Sequence, residues 1–250
     1  MEAAMKHIRM ILINGPKRVG KTTNANLVAD MIGRSLPDGC RAHRINMADR
    51  LKTLTNSIYN VRTPDGQIAP PDYLEAIKDQ PLEIFGGASF RQALIYVSEV
   101  VIKPRHGKTV FGKWFLDTVN QVCKPGDVVI TADTGFASEI VPIINQVGGD
   151  NALLVRIHGM DASFDGDSRS YVHWKHVLTF KDDTNAPFRI GDASVRPDVL
   201  ARGGFREIDV TNELGFPERS AQAVLDYAAR ANWLVRPTEV DLELAKGPTL

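Results

Sequence analysis

Residues Gly15, Pro16, Lys17, Arg18, Val19, Gly20, Lys21 and Thr22 spell G-x-x-x-x-G-K-T, directly after an apolar run at 8–13 and directly before a helix-like stretch. Strand, loop and helix in that order form a phosphate-binding loop, which constrains the chain to an α/β fold with a buried strand behind the loop. Gly15 and Gly20 admit backbone conformations that a Cβ forbids, so successive N–H groups can turn inward onto phosphate oxygens. Lys21 reaches the terminal phosphates and Thr22 offers its hydroxyl to Mg²⁺, while the following helix aims the positive end of its dipole at the same anion. Lys17 and Arg18 add cationic heads inside the loop, although solvated side chains would read the same way. The expected cofactors are ATP and Mg²⁺, held by Gly15, Lys17, Arg18, Val19, Gly20, Lys21, Thr22 and Thr23.

Composition narrows the remaining classes. With 250 residues, 43% hydrophobic and 24% charged, the chain can bury a full core as one large domain or a core with an inserted lobe. Thirty basic residues balance thirty acidic ones, so no global field draws it to nucleic acid or membrane. Two cysteines, Cys40 and Cys123, are too few for a disulfide scaffold and read as buried apolar residues of a reducing compartment. No apolar stretch approaches the roughly 18 residues of a membrane span, and the first seven residues lack a signal-peptide core. The expected location is the cytoplasm.

Strand and helix signals alternate along the chain. A helix after the loop carries Leu27, Val28, Met31, Ile32 and Leu36 and stops at Pro37-Asp38-Gly39; a weak strand at 41–47 and a helix at 49–59 follow. Residues 62–71, with three prolines and a glycine, read as an exposed connection. The clearest amphipathic helix is 89–103, with Phe90, Ala93, Leu94, Val97, Val100 and Val101 in one apolar stripe and Arg91, Ser98 and Glu99 off it. A helix at 111–122, a buried strand at 128–133, a helix at 138–147, a strand at 152–157, a last strand at 205–210 and a last helix at 218–233 complete the series, and the tail 236–250 is expected to be loosely held. The pattern predicts a mostly parallel sheet with helices on both faces, with ligands beyond the carboxyl ends of the strands, where Gly15 and Asp133 lie.

Several other residues have the right chemistry. Asp133 ends an apolar strand, where such an enzyme keeps a carboxylate by Mg²⁺; a turn or helix-capping aspartate would occupy the same place. Glu139 is either its partner or a first-turn helix glutamate. Arg91 can clamp an acceptor phosphate, while an ion-paired surface face would equally hold Arg91 and Glu99. The Gly/Asp/Ser-rich stretch 158–169 reads as a mobile lid that carries Arg169 towards triphosphate. It contains Asp161, Asp165 and Asp167 but lacks the pattern of a calcium-binding loop. A second G-x-x-x-x-G-K at 107–113 ends in Trp114, which has no hydroxyl for a metal, and reads as a chance match. His173 and His176 lack a third ligand for zinc.

In order, "INGPKRVGKTT", "MADRLK" (47–52), "FRQALIYVSE" (90–99), "VVITADTGFASE" (128–139) and "GGDNALLVRIH" (148–158) resemble the bacteriophage deoxynucleoside monophosphate kinases over about two-thirds of the chain. The resemblance implies a P-loop nucleoside kinase-like fold over 1–235, with an acceptor-binding region at about 48–110, a lid at about 158–177 and a polar tail at 236–250. It implies that Lys21 and Thr22 handle ATP and Mg²⁺, that Arg91 grips the acceptor monophosphate, that Asp133 lies by the metal and that Arg169 closes from the lid. Asp49, Lys52 and Glu99 would line the acceptor pocket. One position departs from the pattern: Gly135 stands where family members often carry an arginine.

The implied reaction moves the γ-phosphoryl of ATP to a free deoxynucleoside monophosphate, with a small-molecule partner, no membrane, no need for nucleic acid and room for a homodimer. Two other readings stay open. A P-loop kinase could act on a hydroxyl of a modified nucleotide or base in DNA, or the chain could be a non-catalytic ATP-binding switch.

Overall fold

The computed structural model describes residues 7–159, 162–165, 169–213 and 215–234. Five strands form one sheet: β1 (Arg9–Asn14), β2 (Ala42–Arg44), β3 (Val128–Thr131), β4 (Ala152–His158) and β5 (Arg206–Thr211). Their order is β2-β3-β1-β4-β5 and every pairing is parallel. Parallel neighbours need crossover connections, which is why helices separate the strands in sequence. They are α1 (Lys21–Ser35), α2 (Asp49–Tyr59), α3 (Pro71–Ile77), α4 (Phe90–Tyr96), α5 (Lys103–His106), α6 (Val110–Val122), α7 (Ala137–Val147), α8 (Trp174–Leu178), α9 (Pro197–Arg202) and α10 (Pro217–Arg230).

The side-chain alternation of the central strand divides the core in two. Met10 and Leu12 face α6 and α7 with Val129 and Leu154, while Ile11 and Ile13 face α1 and α10 with Ile130, Leu153 and Val155. A strand covered on both faces has no polar face, hence its unbroken apolar run. Two smaller clusters lie outside the sheet, one around Phe90, Leu74 and Val61, the other around Val97, Phe111 and Trp114. They fasten the helical segment between β2 and β3 to the sheet layer.

The expected helix at 89–103 begins as foreseen. Ser89 accepts from the Gln92 N–H and Gln92 returns a bond to the Ser89 N–H, a capping box. After Tyr96, however, the helix widens into a π turn (Val97–Ile102) before α5. The extra residue per turn shifts the register, so Val100, assigned to the apolar stripe, is 53% exposed, while Ser98 and Lys103 are buried. The strand foreseen at 41–47 is only three residues long, because the N–H groups of Met47 and Ala48 turn to Asp133. Cys40 and Cys123 are half-buried rather than buried. α3, α8 and α9 had no clear periodicity.

The second G-x-x-x-x-G-K performs a packing task. A Cβ on Gly112 would run into the backbone of Glu139, so the glycine lets α6 and α7 touch. Residues 160–161 and 166–168 of the stretch expected to be a lid, and with them Asp161 and Asp167, and the tail 236–250 lie outside the described residues. No described helix is long and apolar enough to cross a membrane.

Candidate functional site

The carboxyl ends of β1, β3, β4 and β5 converge on the loop that follows β1. Gly20 has φ 87° and Arg18 φ 65°, both in the left-handed region, which coils residues 15–20 back on themselves. Gly15 has no room for a Cβ, which would lie 2.8 Å from the Ile157 carbonyl oxygen, and a Cβ on Gly20 would meet the Asn212 side chain. Asn212, just past β5, donates from Nδ2 to the Val19 carbonyl (2.8 Å) and from its backbone N–H to His158 (2.7 Å). Buried Asn14 donates to the Thr134 carbonyl (2.9 Å) and accepts from the Val172 N–H (3.0 Å), joining the end of β1 to the segments after β3 and before α8. Val19 sits in the core, so only its backbone is available to a ligand. Lys21 Nζ donates across the loop to the carbonyls of Gly15 (2.8 Å) and Pro16 (2.5 Å), while Thr22 and Thr23 are exposed on the first turn of α1.

Two carboxylates follow β3. Asp133 Oδ1 accepts from the Met47 N–H (2.9 Å) and the Thr131 hydroxyl (2.6 Å), and Oδ2 from the Ala48 N–H (2.8 Å). An ionised carboxylate has about four acceptor sites, which leaves one on Oδ2. Asp133 thus fastens the backbone just before α2, rather than a turn or helix of its own segment, without using up the group. Glu139 is buried and accepts through Oε2 from the N–H groups of Gly135 (2.9 Å) and Phe136 (3.0 Å). Burial pushes its carboxyl up to about 7, and the charge of Asp133 pushes the same way. Between them the Thr134 hydroxyl is buried with no partner among the described residues. The stem of Arg169 crosses Gly135, where a Cβ would lie 2.8 Å from Arg169 Cδ. The departure at position 135 thus makes the space through which Arg169 passes.

Opposite the loop, α2, the end of α3 and α4 bring a cluster of cations together. Arg91 grips Asp79 with two bonds, Nε to Oδ1 (2.6 Å) and Nη2 to Oδ2 (3.2 Å), and Lys17 of the loop lies 3.4 Å from the same Oδ2. Hydrogen bonds from Arg91 hold the Asp79 carboxyl down at about 2. Glu75 pairs with Lys52 (3.3 Å) and Lys78, and burial plus the charges of Arg91, Lys52 and Lys17 lowers the Lys78 ammonium. Lys17, Lys52, Lys78 and Arg91 therefore share one patch, only partly neutralised by Glu75 and Asp79. Asp49 belongs elsewhere: it accepts from Asn46 Nδ2 (3.2 Å) at the start of α2 and shares no ion pair with the patch among the described residues.

Further along the same helix, Glu99 Oε1 accepts from the Ser98 hydroxyl (3.0 Å) and from Lys103 Nζ (2.5 Å). Both residues line a cavity of about 440 Å³ with Phe136, Ser138, Phe180 and Thr184, and Lys103 Nζ sits 4.5 Å from the centre of the Phe136 ring. Sequence reasoning missed Asn14, Glu75, Lys78, Asp79, Lys103 and Asn212. Of these only Asn14, a polar residue ending an apolar strand beside the loop, carried a local signal.

At the far, amino end of the sheet, His43, Cys123 and Asp127 come together. Asp127 accepts there from the Arg41 N–H (2.9 Å), the Lys124 N–H (3.0 Å) and His43 (2.9 Å), and burial pushes the Cys123 thiol up to about 12. A carboxylate so occupied beside a protonated thiol ties β2 to β3.

A five-stranded parallel sheet in the order 2-3-1-4-5, with a glycine loop leaving its central strand into a helix, fixes the class. The chain has a P-loop NTPase-like fold. No family model and no curated protein matches it. Among solved structures it is similar to Kti12 of Chaetomium thermophilum in complex with ADP-AlF3, at 15% identity and a TM-score of 0.39, over 89% of this chain and 98% of that one.

Proposed function

We propose that this chain transfers the γ-phosphoryl of ATP to the phosphate of a deoxynucleoside monophosphate, giving ADP and a deoxynucleoside diphosphate, as in the kinases it resembles. One observation carries the reading. A single carboxylate, Asp79, is held at once by Lys17 of the P-loop and by Arg91 of the helix opposite. An anion that bridges the triphosphate loop and a facing arginine supports a reading in which an acceptor phosphate would bind there. A bidentate guanidinium suits phosphate and carboxylate alike.

In this reading the acceptor phosphate takes the place of Asp79 between Arg91 and Lys17, with Lys52 and Lys78 at its margin. Lys21 exchanges the Gly15 and Pro16 carbonyls for phosphate oxygens of ATP. The backbone of 15–20, including the Val19 N–H, surrounds the same phosphates, with Arg18 and Thr23 at the edge. The Thr22 hydroxyl and the remaining Oδ2 site of Asp133 fit Mg²⁺, the latter through water, since a cation that keeps several waters needs few protein ligands. Mg²⁺ supplies neutralisation of charge on the transferring phosphoryl group. The acceptor oxygen is already ionised, so no general base is required, and the protein's work is alignment and charge stabilisation by Lys21, Arg91 and Arg169. Asp49, bound by Asn46, is left out of the acceptor pocket.

Coupled ADP release, measured across the four deoxynucleoside monophosphates and a DNA duplex, tests the proposal. The expected result is monophosphate-dependent ADP with label from ATP in a small diphosphate. Label in polymer alone would mean a kinase of a DNA hydroxyl, and nucleotide binding with no transfer to any acceptor would mean a switch. Either result overturns the proposal.

A further inference from the structure

At the amino end of the sheet, away from the P-loop, three different metal-binding groups meet in a place that phosphate transfer does not use. A His43 ring nitrogen, the Cys123 sulfur and an Asp127 carboxylate oxygen all lie within 4.8 Å of one another. Each comes from a separate element: His43 from β2, Cys123 from the residue that caps the end of α6, and Asp127 from the turn that leads into β3. The link between β2 and β3 needs only part of this set. His43 and Asp127 make it by their hydrogen bond (2.9 Å), whereas the Cys123 thiol makes none among the described residues. A thiol that adds nothing to the link, yet stands among its donor atoms, gives the cluster a preference for a soft or borderline divalent metal.

We propose that His43, Cys123 and Asp127 bind a Zn²⁺ ion that fastens the three-residue strand β2 to β3 and to the end of α6. Imidazole, thiolate and carboxylate are the side-chain types that zinc takes, and tetrahedral bonds of roughly 2.0–2.3 Å set neighbouring ligand atoms about 3.3–3.6 Å apart. His43 and Asp127 then part by about half an ångström, and the sulfur approaches by no more than about 1.2 Å. The carboxylate has the capacity for this. It has about four acceptor sites, and Asp127 accepts from the Arg41 N–H on Oδ1 and from the Lys124 N–H and His43 on Oδ2. Zinc takes the place of the His43 proton on Oδ2, and both backbone bonds stay to orient the ligand. The imidazole proton moves from Nε2 to Nδ1, the thiol gives its proton to solvent, and nitrogen and sulfur each turn a lone pair to the ion. Burial keeps the thiol protonated beside Asp127 alone, but a divalent charge in contact with sulfur reverses that balance. The His43 side chain is 20% exposed and Cys123 half-buried, so water can reach the ion and fill its fourth position.

Co²⁺ in place of Zn²⁺ reads the ligands directly, because a thiolate ligand adds a sulfur-to-cobalt charge-transfer band in the near ultraviolet. The full chain, stripped with chelator and titrated with Co²⁺, should take up one ion per chain with that band, and added Zn²⁺ should displace it. Cys40→Ser, at the other cysteine, should behave as wild type. Cys123→Ser should lose the band, and His43→Gln should weaken Zn²⁺ binding by at least about 10²-fold, more than loss of an outer hydrogen-bond partner typically costs. Absence of the band from wild type overturns the proposal, as does a band that persists in Cys123→Ser or vanishes in Cys40→Ser. Metal uptake without the band, at Asp133 for instance, counts against it equally, and so does unchanged Zn²⁺ affinity in His43→Gln. If Cys123→Ser does not fold, the band in Cys40→Ser decides, since Cys123 is then the one remaining thiol. None of these readouts needs turnover, so the metal site and the kinase reading stand or fall separately.

Discussion

The two walls of the cleft are built in opposite ways. On the nucleotide side, the loop after β1 is fixed by backbone geometry and buried amides. Gly20 holds a left-handed turn, Asn212 fastens the Val19 carbonyl, and Asn14 ties the strand end to its neighbours. On the acceptor side, α3 and α4 meet the loop through side chains half in water; Lys17 and Asp79 are 45% and 46% exposed. Exposed ion pairs are each worth about 0–1 kcal/mol, so that wall can exchange its internal carboxylates for a ligand at little cost. A rigid loop thus faces an adaptable ionic patch, and under the proposed function the acceptor would enter after the triphosphate loop is already formed.

The largest expected effect lies on the rigid wall. Lys21→Ala removes a charge meant for the transferring phosphoryl group, and loss of one such contact costs about 10²- to 10³-fold in rate. Its bonds to the Gly15 and Pro16 carbonyls lie within its own loop, so the melting temperature should stay close to wild type. Wild-type ADP release from a folded Lys21→Ala protein would break the assignment of the loop.

Under the same wall, Glu139 makes stability depend on pH. Its carboxyl titrates at about 7 in the folded chain, against an ordinary 4.5. The folded state therefore holds a proton that the unfolded state has given up between those values. The associated stability is fully present below about pH 4.5 and is lost as pH rises through about 7, on the order of 3 kcal/mol. Glu139→Gln retains an oxygen for the Gly135 and Phe136 N–H groups and should flatten the change in urea midpoint between about pH 5 and pH 8. An equally steep profile in the variant would move the buried proton to another residue.

On the adaptable wall, Arg91→Ala should raise the monophosphate KM by about 10- to 10²-fold, the worth of charge-assisted hydrogen bonds, with a smaller change in kcat. A contact made in ground and transition states alike lowers KM without raising kcat. If kcat falls as much as kcat/KM, Arg91 acts mainly in the transition state, and the division of labour between the walls is wrong.

The same contrast decides how much could be read from the sequence. The rigid wall is local: strand, loop and helix are contiguous, and Gly20 is tied to its place by a left-handed backbone and Gly15 by the close approach of the Ile157 carbonyl. That the strands behind it run parallel follows from the alternation of apolar runs and helices, whereas their order is seen only in the structure. The adaptable wall is assembled from separate segments, and nothing local marks Lys78 and Asp79 as the partners of Arg91 and Lys17. The helix that carries Arg91 was legible to Tyr96 only. Beyond it the π turn shifts the register, so a period of 3.6 placed Val100 in the core and gave no hint that Lys103 is buried beside Glu99. Asp133 shows a third limit. A carboxylate at a strand end can cap a helix, stand by a metal or do both, and only the count of its hydrogen bonds shows how much of it remains free.

The smallest effect is the most informative about the adaptable wall, because two roles for Asp79 predict opposite signs. If Asp79 only occupies the acceptor-phosphate position, Asp79→Asn releases Lys17 and Arg91, and the monophosphate KM falls. Exposed pairs of about 0.2–1 kcal/mol correspond to roughly 1.5- to 5-fold. The gain should shrink as salt rises, since the Debye length contracts from about 10 Å at 0.1 M to about 3 Å at 1 M and wild type then loses its internal competitor as well. If Asp79 instead holds Arg91 in the geometry that phosphate needs, the same substitution leaves the guanidinium unguided and KM rises. Steady-state KM for Asp79→Asn and wild type, measured at low and high salt, separates the two. A KM that falls at low salt and converges with wild type at high salt means that the carboxylate competes with the acceptor. A rise at both salt concentrations makes Asp79 part of the acceptor site and the wall less adaptable than its exposure implies.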